Sequence, residues 1–306
     1  MNKNKLAFRL SKVLLSIVII GLIVALSVNI IKTVRTPYTS SAYFAYNNVS
    51  KMISTLYSDA RTLVLRDKYA SVNVQNTDDN MRKLTYLGHS AFFIEKDGDG
   101  ILIDPFITGN PLADFDFKEK RITHIVVTHA HHDHLGDAIE ISKHSGAPII
   151  AVFELANYCM QKGAKAIPVN IGAKLKFNWG SVKFLPAVHS SSNPDLPYGG
   201  TAASLLFDID GTTIYHAGDT SLMPDFSMIG ELYNPHYALL PIGGFYTMDM
   251  QDAAIAAKML YAKKVIPMHY NTFPGIKVDV QKFVDSLEAQ GQKCLPLKAN
   301  EYVQIW

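Results

Sequence analysis

Residues Thr128-His129-Ala130-His131-His132-Asp133-His134-Leu135-Gly136-Asp137 crowd four imidazoles and a carboxylate into six consecutive positions, 129 to 134. Burying that many polar groups without partners costs on the order of several kcal/mol, so the cluster needs a shared partner. Neutral imidazole nitrogens and a carboxylate oxygen are ligands for a divalent cation of the zinc type. His129 and His131, two apart in an extended or tightly turned backbone, can point into one cavity. Asp133 and His134 follow at a helix start and face a neighbouring position.

The elements that must hold this cluster are legible around it. His124 to Thr128 (HIVVT) reads as a buried strand that ends at His129, and Leu135 to Ser145 reads as a helix closed by Gly146. Three further polar residues sit where strands stop. His189 ends SVKFLPAV and opens the loop SSSNPDLPYGG, Asp219 follows a strand within AGDT, and His269 ends VIPM. Gly218 allows close backbone approach beside Asp219. One rim of a fold could collect all of them.

The stretch matches the HxHxDH motif at every defined position, and the chain resembles the metallo-beta-lactamase superfamily through the whole of 81–306. The supporting runs are YLGHSAF (86–92), ILIDPFITGNP (101–111), YHAGDT (215–220) and MHYNTFP (268–274). The resemblance is to the stand-alone metal-dependent hydrolases, near the ascorbate-6-phosphate lactonase-like group. It implies an α/β fold, an αβ/βα four-layer sandwich with metals at one edge of two sheets. Carried over by position, it implies one metal among His129, His131 and His189. A second is implied among Asp133, His134 and His269, with Asp219 bridging both. His89 and Asp104 match family runs beside the site and, with His216, are expected to support the ligands.

The chemistry implied is hydrolysis. Two cations about 3.5–4 Å apart hold a bridging hydroxide at neutral pH, which attacks an ester, lactone, amide or phosphodiester, with Asp133 and Asp219 orienting it. The intact Asp133-His134 pair favours zinc, while manganese or iron fits the same donors. Two alternatives stay open: a membrane-anchored binding or sensing protein with a structural metal site, and a phosphodiesterase or phospholipase-type enzyme. Loops 105–117, 190–200 and 243–250 are the expected pocket walls, with a small-molecule or lipid-like substrate. No phosphate-gripping Arg stands near any motif.

Short apolar runs after Met81 read as strands: LTYL, AFFIE, ILID, PIIAV, SVKFLPAV, AASLLFDI, TTIYHA, YALLPI and KVIPMH. Helices are expected at 153–162, 249–261 and 279–290. Ahead of this domain, residues 13–31 are uncharged and long enough at about 1.5 Å per residue to cross a bilayer. Lys3, Lys5, Arg9 and Lys12 precede them, against Lys32 and Arg35 after. The expectation is a cytoplasmic tail and transmembrane anchor over 1–35, oriented with the N-terminus inside. That makes a single-pass protein of the cytoplasmic membrane with its catalytic domain outside; cleavage after Ala25-Ser27 would instead give a secreted form. Residues 36–80 read as an amphipathic helix and linker. Over 42–68, Val49, Met52, Ile53, Leu56, Ala60, Leu63 and Val64 share one face, available for docking or for homo-oligomerisation.

Composition narrows the rest. With 29 Lys+Arg against 27 Asp+Glu and 48% apolar residues, the chain is neither disordered nor a basic nucleic-acid coat, and no nucleic-acid partner is expected. Its two cysteines exclude a disulfide scaffold or a cysteine zinc cluster.

Overall fold

The computed structural model describes residues 82–305. Two turns set the strand hairpins at the start of the first half. β1 (Lys83–Gly88) pairs antiparallel with β2 (Ala91–Lys96), and β2 pairs antiparallel with β3 (Asp99–Ile103). The β2–β3 turn is Asp97-Gly98, both with left-handed φ (48° and 80°), the conformation a two-residue hairpin of this sequence demands. From β3 the sheet continues in parallel through β4 (His124–Val126), β5 (Ile149–Val152) and β6 (Ala166–Val169). Ile101, Leu102, Ile103, Ile125, Val126, Ile149 and Ile150 are fully buried, as expected for parallel strands covered on both faces.

The second half builds a matching sheet. β7 (Lys174–Phe177), β8 (Gly180–Pro186), β9 (Ala203–Ile209) and β10 (Thr212–His216) are antiparallel neighbours. β11 (Tyr237–Pro241), β12 (Lys264–Met268) and β13 (Lys293–Cys294) then add in parallel. The C-terminal β14 (Tyr302–Gln304) returns to the first sheet against β1. Each sheet has seven strands, ordered β14-β1-β2-β3-β4-β5-β6 and β13-β12-β11-β10-β9-β8-β7. One continuous apolar core fills the sandwich, so the expected two-sheet α/β sandwich is what forms.

Helices cover the sheets. α1 (His132–Leu135) and α2 (Ala138–Ser145) follow β4, and α3 (Phe153–Gln161) follows β5. α4 (Asp225–Tyr233), α5 (Met250–Met259) and α6 (Val280–Ala289) accompany the second sheet. The helix expected over Leu135–Ser145 is broken in two. Gly136 takes φ 43°, and a Cβ there would lie 2.3 Å from the Pro105 carbonyl oxygen, so only glycine fits. Asp137 locks the break by accepting hydrogen bonds from the Ile107 and Thr108 amides at 3.0 and 2.7 Å. Helix α4 was not expected, because Gly230 interrupts its pattern. That glycine serves packing, since a Cβ there would lie 2.3 Å from the Met259 carbonyl oxygen of α5.

The transmembrane expectation is corrected. Among the described residues no helix is long and apolar enough to cross a membrane. α5 and α6 have ten residues each, about 15 Å against a hydrocarbon core of about 30 Å. The assignment as a single-pass protein of the cytoplasmic membrane therefore does not stand. The segments 13–31 and 42–68, with the oligomer surface read on the latter, lie outside the described residues.

Candidate metal centre

The directions of the strands bring the polar residues to one rim. In the first sheet β1, β3 and β4 run the same way, and in the second β8, β10 and β12 do. His89 lies just past the end of β1, Asp104 past β3, His129 past β4, His189 past β8, Asp219 past β10 and His269 past β12. His89, Asp104 and His269 turn off their strands with left-handed φ of 57°, 43° and 54°. Such backbone costs about 1–3 kcal/mol at each non-glycine residue and collects at functional sites.

Three donor groups result: His129, His131 and His189; His129, His134 and Asp219; and His89, Asp133, His134 and His269. Within each group one ligand atom per residue lies within 4.8 Å of every other. In the first group His129 Nε2 stands 2.9 Å from His131 Nδ1, with the His189 ring centroid 5.0 Å from that of His131. Asp219 lies between the groups. Its Oδ1 is 3.2 Å from His134 Nε2, and its Oδ2 is 3.1 Å from His269 Nε2 and 3.5 Å from His189 Nε2. Asp133 Oδ2 approaches His269 Nε2 at 3.8 Å. The structure thus brings together all seven residues read as ligands.

Several of their buried atoms lack hydrogen-bond partners. His134 Nε2, Asp219 Oδ1 and His269 Nε2 are shielded from water and have no hydrogen-bond partner, despite the short approaches among them. Buried polar atoms are nearly always satisfied, and three orphans aimed at one space, all nitrogen or carboxylate oxygen, match the donor set of a divalent metal.

The support beneath is a hydrogen-bond hub at Asp104. Its Oδ2 lies 2.7 Å from His134 Nδ1 and accepts the Thr128 hydroxyl at 2.7 Å, while its Oδ1 accepts the Thr128 amide at 2.8 Å. Thr128 Oγ1 in turn lies 3.0 Å from His129 Nδ1. With its hydroxyl hydrogen given to Asp104, Thr128 accepts the His129 Nδ1 proton, and His129 Nε2 keeps its lone pair for the cavity. His89 Nε2 contacts Asp133 Oδ2 at 3.1 Å and its Nδ1 contacts Thr272 Oγ1 at 2.6 Å. His216 touches none of the seven. It accepts the Gly218 amide at Nδ1 (3.1 Å) and reaches the Ser90 carbonyl oxygen with Nε2 (2.9 Å), tying the Asp219 loop to the His89 turn.

Charge is arranged to match. Burial, with the neighbouring His269, pushes His89 down to about 4. Burial also lowers His131 and His189, and takes His129 well below the ordinary imidazole range. For His129, His131 and His189 the shift favours the neutral ring, the form in which an imidazole nitrogen offers a lone pair. Burial opposes ionisation of Asp219, yet the adjoining His134 and His269 hold it well below the carboxylate range. Burial works the same way on Asp133, and the His89 hydrogen bond together with the charges of His134 and His89 holds its carboxyl below the ordinary range. His134 is raised, because Asp219 and Asp104 on either side overcome its burial.

These groups open into a cavity of about 880 Å3 lined by His131, Asp133, His189, Asp219 and His269 together with Ser190, Asn193, Tyr246 and Phe273. Loops 190–200 and 243–250 contribute to its walls as expected, whereas 105–117 does not line it. Phe273 to Gly275 take that place, and Thr128 and Thr272 are further contributors that the sequence reading did not single out. Each stands within a few residues of a ligand, which was the signal available. His132 also lines the cavity, with its side chain 75% exposed.

Residues 83–269 match the beta-lactamase superfamily domain. A UPF0173 metal-dependent hydrolase from Anoxybacillus flavithermus is 48% identical over 227 residues, 73% of this chain and 100% of the relative. A second from Bacillus cereus is 46% identical over 211 residues, 67% of this chain and 93% of the relative. Among solved structures, the metallo hydrolase Igni18 from Ignicoccus hospitalis superposes with a TM-score of 0.68 at 42% identity, over 73% of this chain and 98% of its own. The match over residues 83–269, with 48% identity to a relative over all of its length, makes the chain a member of the beta-lactamase superfamily and, within it, a UPF0173 metal-dependent hydrolase.

Proposed function

We propose that residues 81–306 form the catalytic domain and work with two divalent cations, zinc by donor type, with manganese or iron accepted by the same ligands. One would be held by His129, His131 and His189, the second by Asp133, His134 and His269, with Asp219 shared. The observation that carries this reading is the set of orphaned atoms on His134, Asp219 and His269, flanked by the compact trio of His129, His131 and His189. Bound there, such cations supply the Lewis acidity that ionises a water near neutral pH and offsets the charge on the oxyanion.

The chain's own residues do the rest. Asp104, through Thr128 and directly, holds the rings of His129 and His134 in the tautomers that face the cavity. Asp219 and Asp133, kept ionised, orient the attacking water, and Asp133, at the cavity wall and 16% exposed, takes up its proton. Ser190 and Asn193 on the opposite loop can hydrogen-bond the scissile carbonyl or the departing group. The reaction is cleavage of an ester, lactone, amide or phosphodiester in a small-molecule or lipid-like substrate.

The test is elemental analysis of the purified full chain after metal supplementation, paired with turnover of an ester, lactone, amide and phosphodiester panel. About two metals per chain are expected, and Asp219→Asn should lose about 100-fold or more in kcat with the fold intact. A chain that binds metal but turns over nothing would be a binding or sensing protein, and one that binds none would remove the reading altogether.

A further inference from the structure

We infer that the cavity selects uncharged acyl substrates, carboxylic esters, lactones or amides, that carry an aromatic or similarly bulky apolar group; this rests on the hydrolytic reading of the same site. Three observations meet. First, among the described residues no Lys or Arg lines the cavity. Recognition of an anionic phosphate group draws on guanidinium or ammonium groups, so a phosphate ester would keep charge that this wall does not neutralise. Lys162, tied to the loop that follows β8, is already engaged by Asp195 at 2.9 Å.

Second, the loops after β11 and β12 bring Tyr246, Phe273 and Pro274 to the wall, and the loop after β8 brings Ser190, Ser192 and Asn193. An apolar, aromatic wall with a few uncharged hydrogen-bonding groups suits a neutral ligand. The volume of about 880 Å3 admits far more than the scissile group alone.

Third, Phe245 stands at the edge of this wall with 81% of its surface exposed and a left-handed φ of 59°. Its ring meets Tyr246 edge-on, at a centroid distance of 4.6 Å and an angle of 84°. A Cβ on the cavity-lining Gly275 would lie 3.9 Å from the Phe245 ring, so Phe245 adjoins the cavity. The loop is closed behind it by the Gly244 amide donating to the Met248 carbonyl at 3.0 Å. An aromatic ring left in water on a strained backbone loses stability in the free protein, and an apolar substrate group packed on Phe245 and Tyr246 recovers it.

The experiment uses the metal-loaded full chain and four substrates sharing one leaving group: 4-nitrophenyl acetate, 4-nitrophenyl phenylacetate, 4-nitrophenyl phosphate and bis(4-nitrophenyl) phosphate. The phenylacetate should exceed the acetate, matched to it in leaving group and acyl chemistry, in kcat/KM by about tenfold or more. In Phe245→Ala and Tyr246→Ala the ratio of the phenylacetate KM to the acetate KM should rise about fivefold. Calorimetric binding of phenylacetamide to the metal-free chain should weaken in the same variants. Faster phosphate turnover, or an unmoved KM ratio, overturns the substrate class and leaves the hydrolase standing. Absence of turnover on all four removes the hydrolase reading and this inference with it.

Discussion

Asp104 Oδ2 stands 2.7 Å from His134 Nδ1, and both side chains are fully buried. The same carboxylate accepts two hydrogen bonds from Thr128, so one residue beyond the end of β3 sets the His134 ring directly and the His129 ring through Thr128. The first sheet thus fixes the His129 and His134 rings from beneath, while the second sheet delivers His189, Asp219 and His269 from the other side.

Replacing that carboxylate tests the hub. Asp104→Asn keeps the shape but loses the charge, and metal affinity should fall about 10–100-fold, measured by chelator competition. Asp104→Ala should in addition destabilise the domain by about 1–3 kcal/mol, because the buried Thr128 donors lose their acceptor.

Metal removal should be visible in stability as well as activity. The orphaned buried atoms on His134, Asp219 and His269 gain partners only when a cation is present. Metal at about 100 times its Kd should add about 2.7 kcal/mol, read as a rise in Tm that a chelator reverses. An unchanged Tm would mean that those atoms find partners without a cation.

Gly136→Ala should be among the more damaging single changes away from the ligands. The new Cβ would press on the Pro105 carbonyl oxygen at 2.3 Å in a left-handed backbone, for a loss of about 2–4 kcal/mol by denaturant melt. Because Gly136 follows α1 directly, the variant should also weaken metal binding through displacement of His134.

A surface-to-core ion cluster gives a pH test away from the site. Lys96, only 5% exposed, lies 2.9 Å from Asp97 and 3.0 Å from Asp210, and Arg82 reaches Asp210 at 2.8 Å. The Lys96 hydrogen bond, against a smaller effect of burial, lowers the Asp210 carboxyl below its ordinary value. A lowered folded-state pKa means the contribution is present above the unfolded carboxylate pKa, about 4, and is lost as pH falls through the folded value. Lys96→Met should cost about 1 kcal/mol at pH 7, since Asp210 is half-exposed and screened. The gap between variant and wild type should close as pH falls below about 4, measured by urea melts across pH.

The cluster His129 to His134 was readable because ligands two to five positions apart must share a neighbourhood whatever the rest of the chain does. The strand runs were readable as well, since buried parallel strands are written in unbroken Val, Ile and Leu. The Asp97-Gly98 turn followed from two residues that tolerate left-handed backbone. Harder to see were α4, with its packing glycine, and the break at Gly136, because both answer to the backbone of a distant segment rather than to local pattern.

The sequence by itself determined the type of chemistry: donor atoms suited to a divalent cation, set at strand ends, in a chain whose composition supports a large core. Only the tertiary structure decided the distances at which Asp219 meets His134, His189 and His269, that Thr128 and Asp104 aim the rings, and that the cavity wall is aromatic and, among the described residues, free of lysine and arginine. The physical reason is range. Spacing along the chain constrains residues within a turn or a strand, whereas convergence across two sheets depends on which strands run in the same direction and on where each one stops.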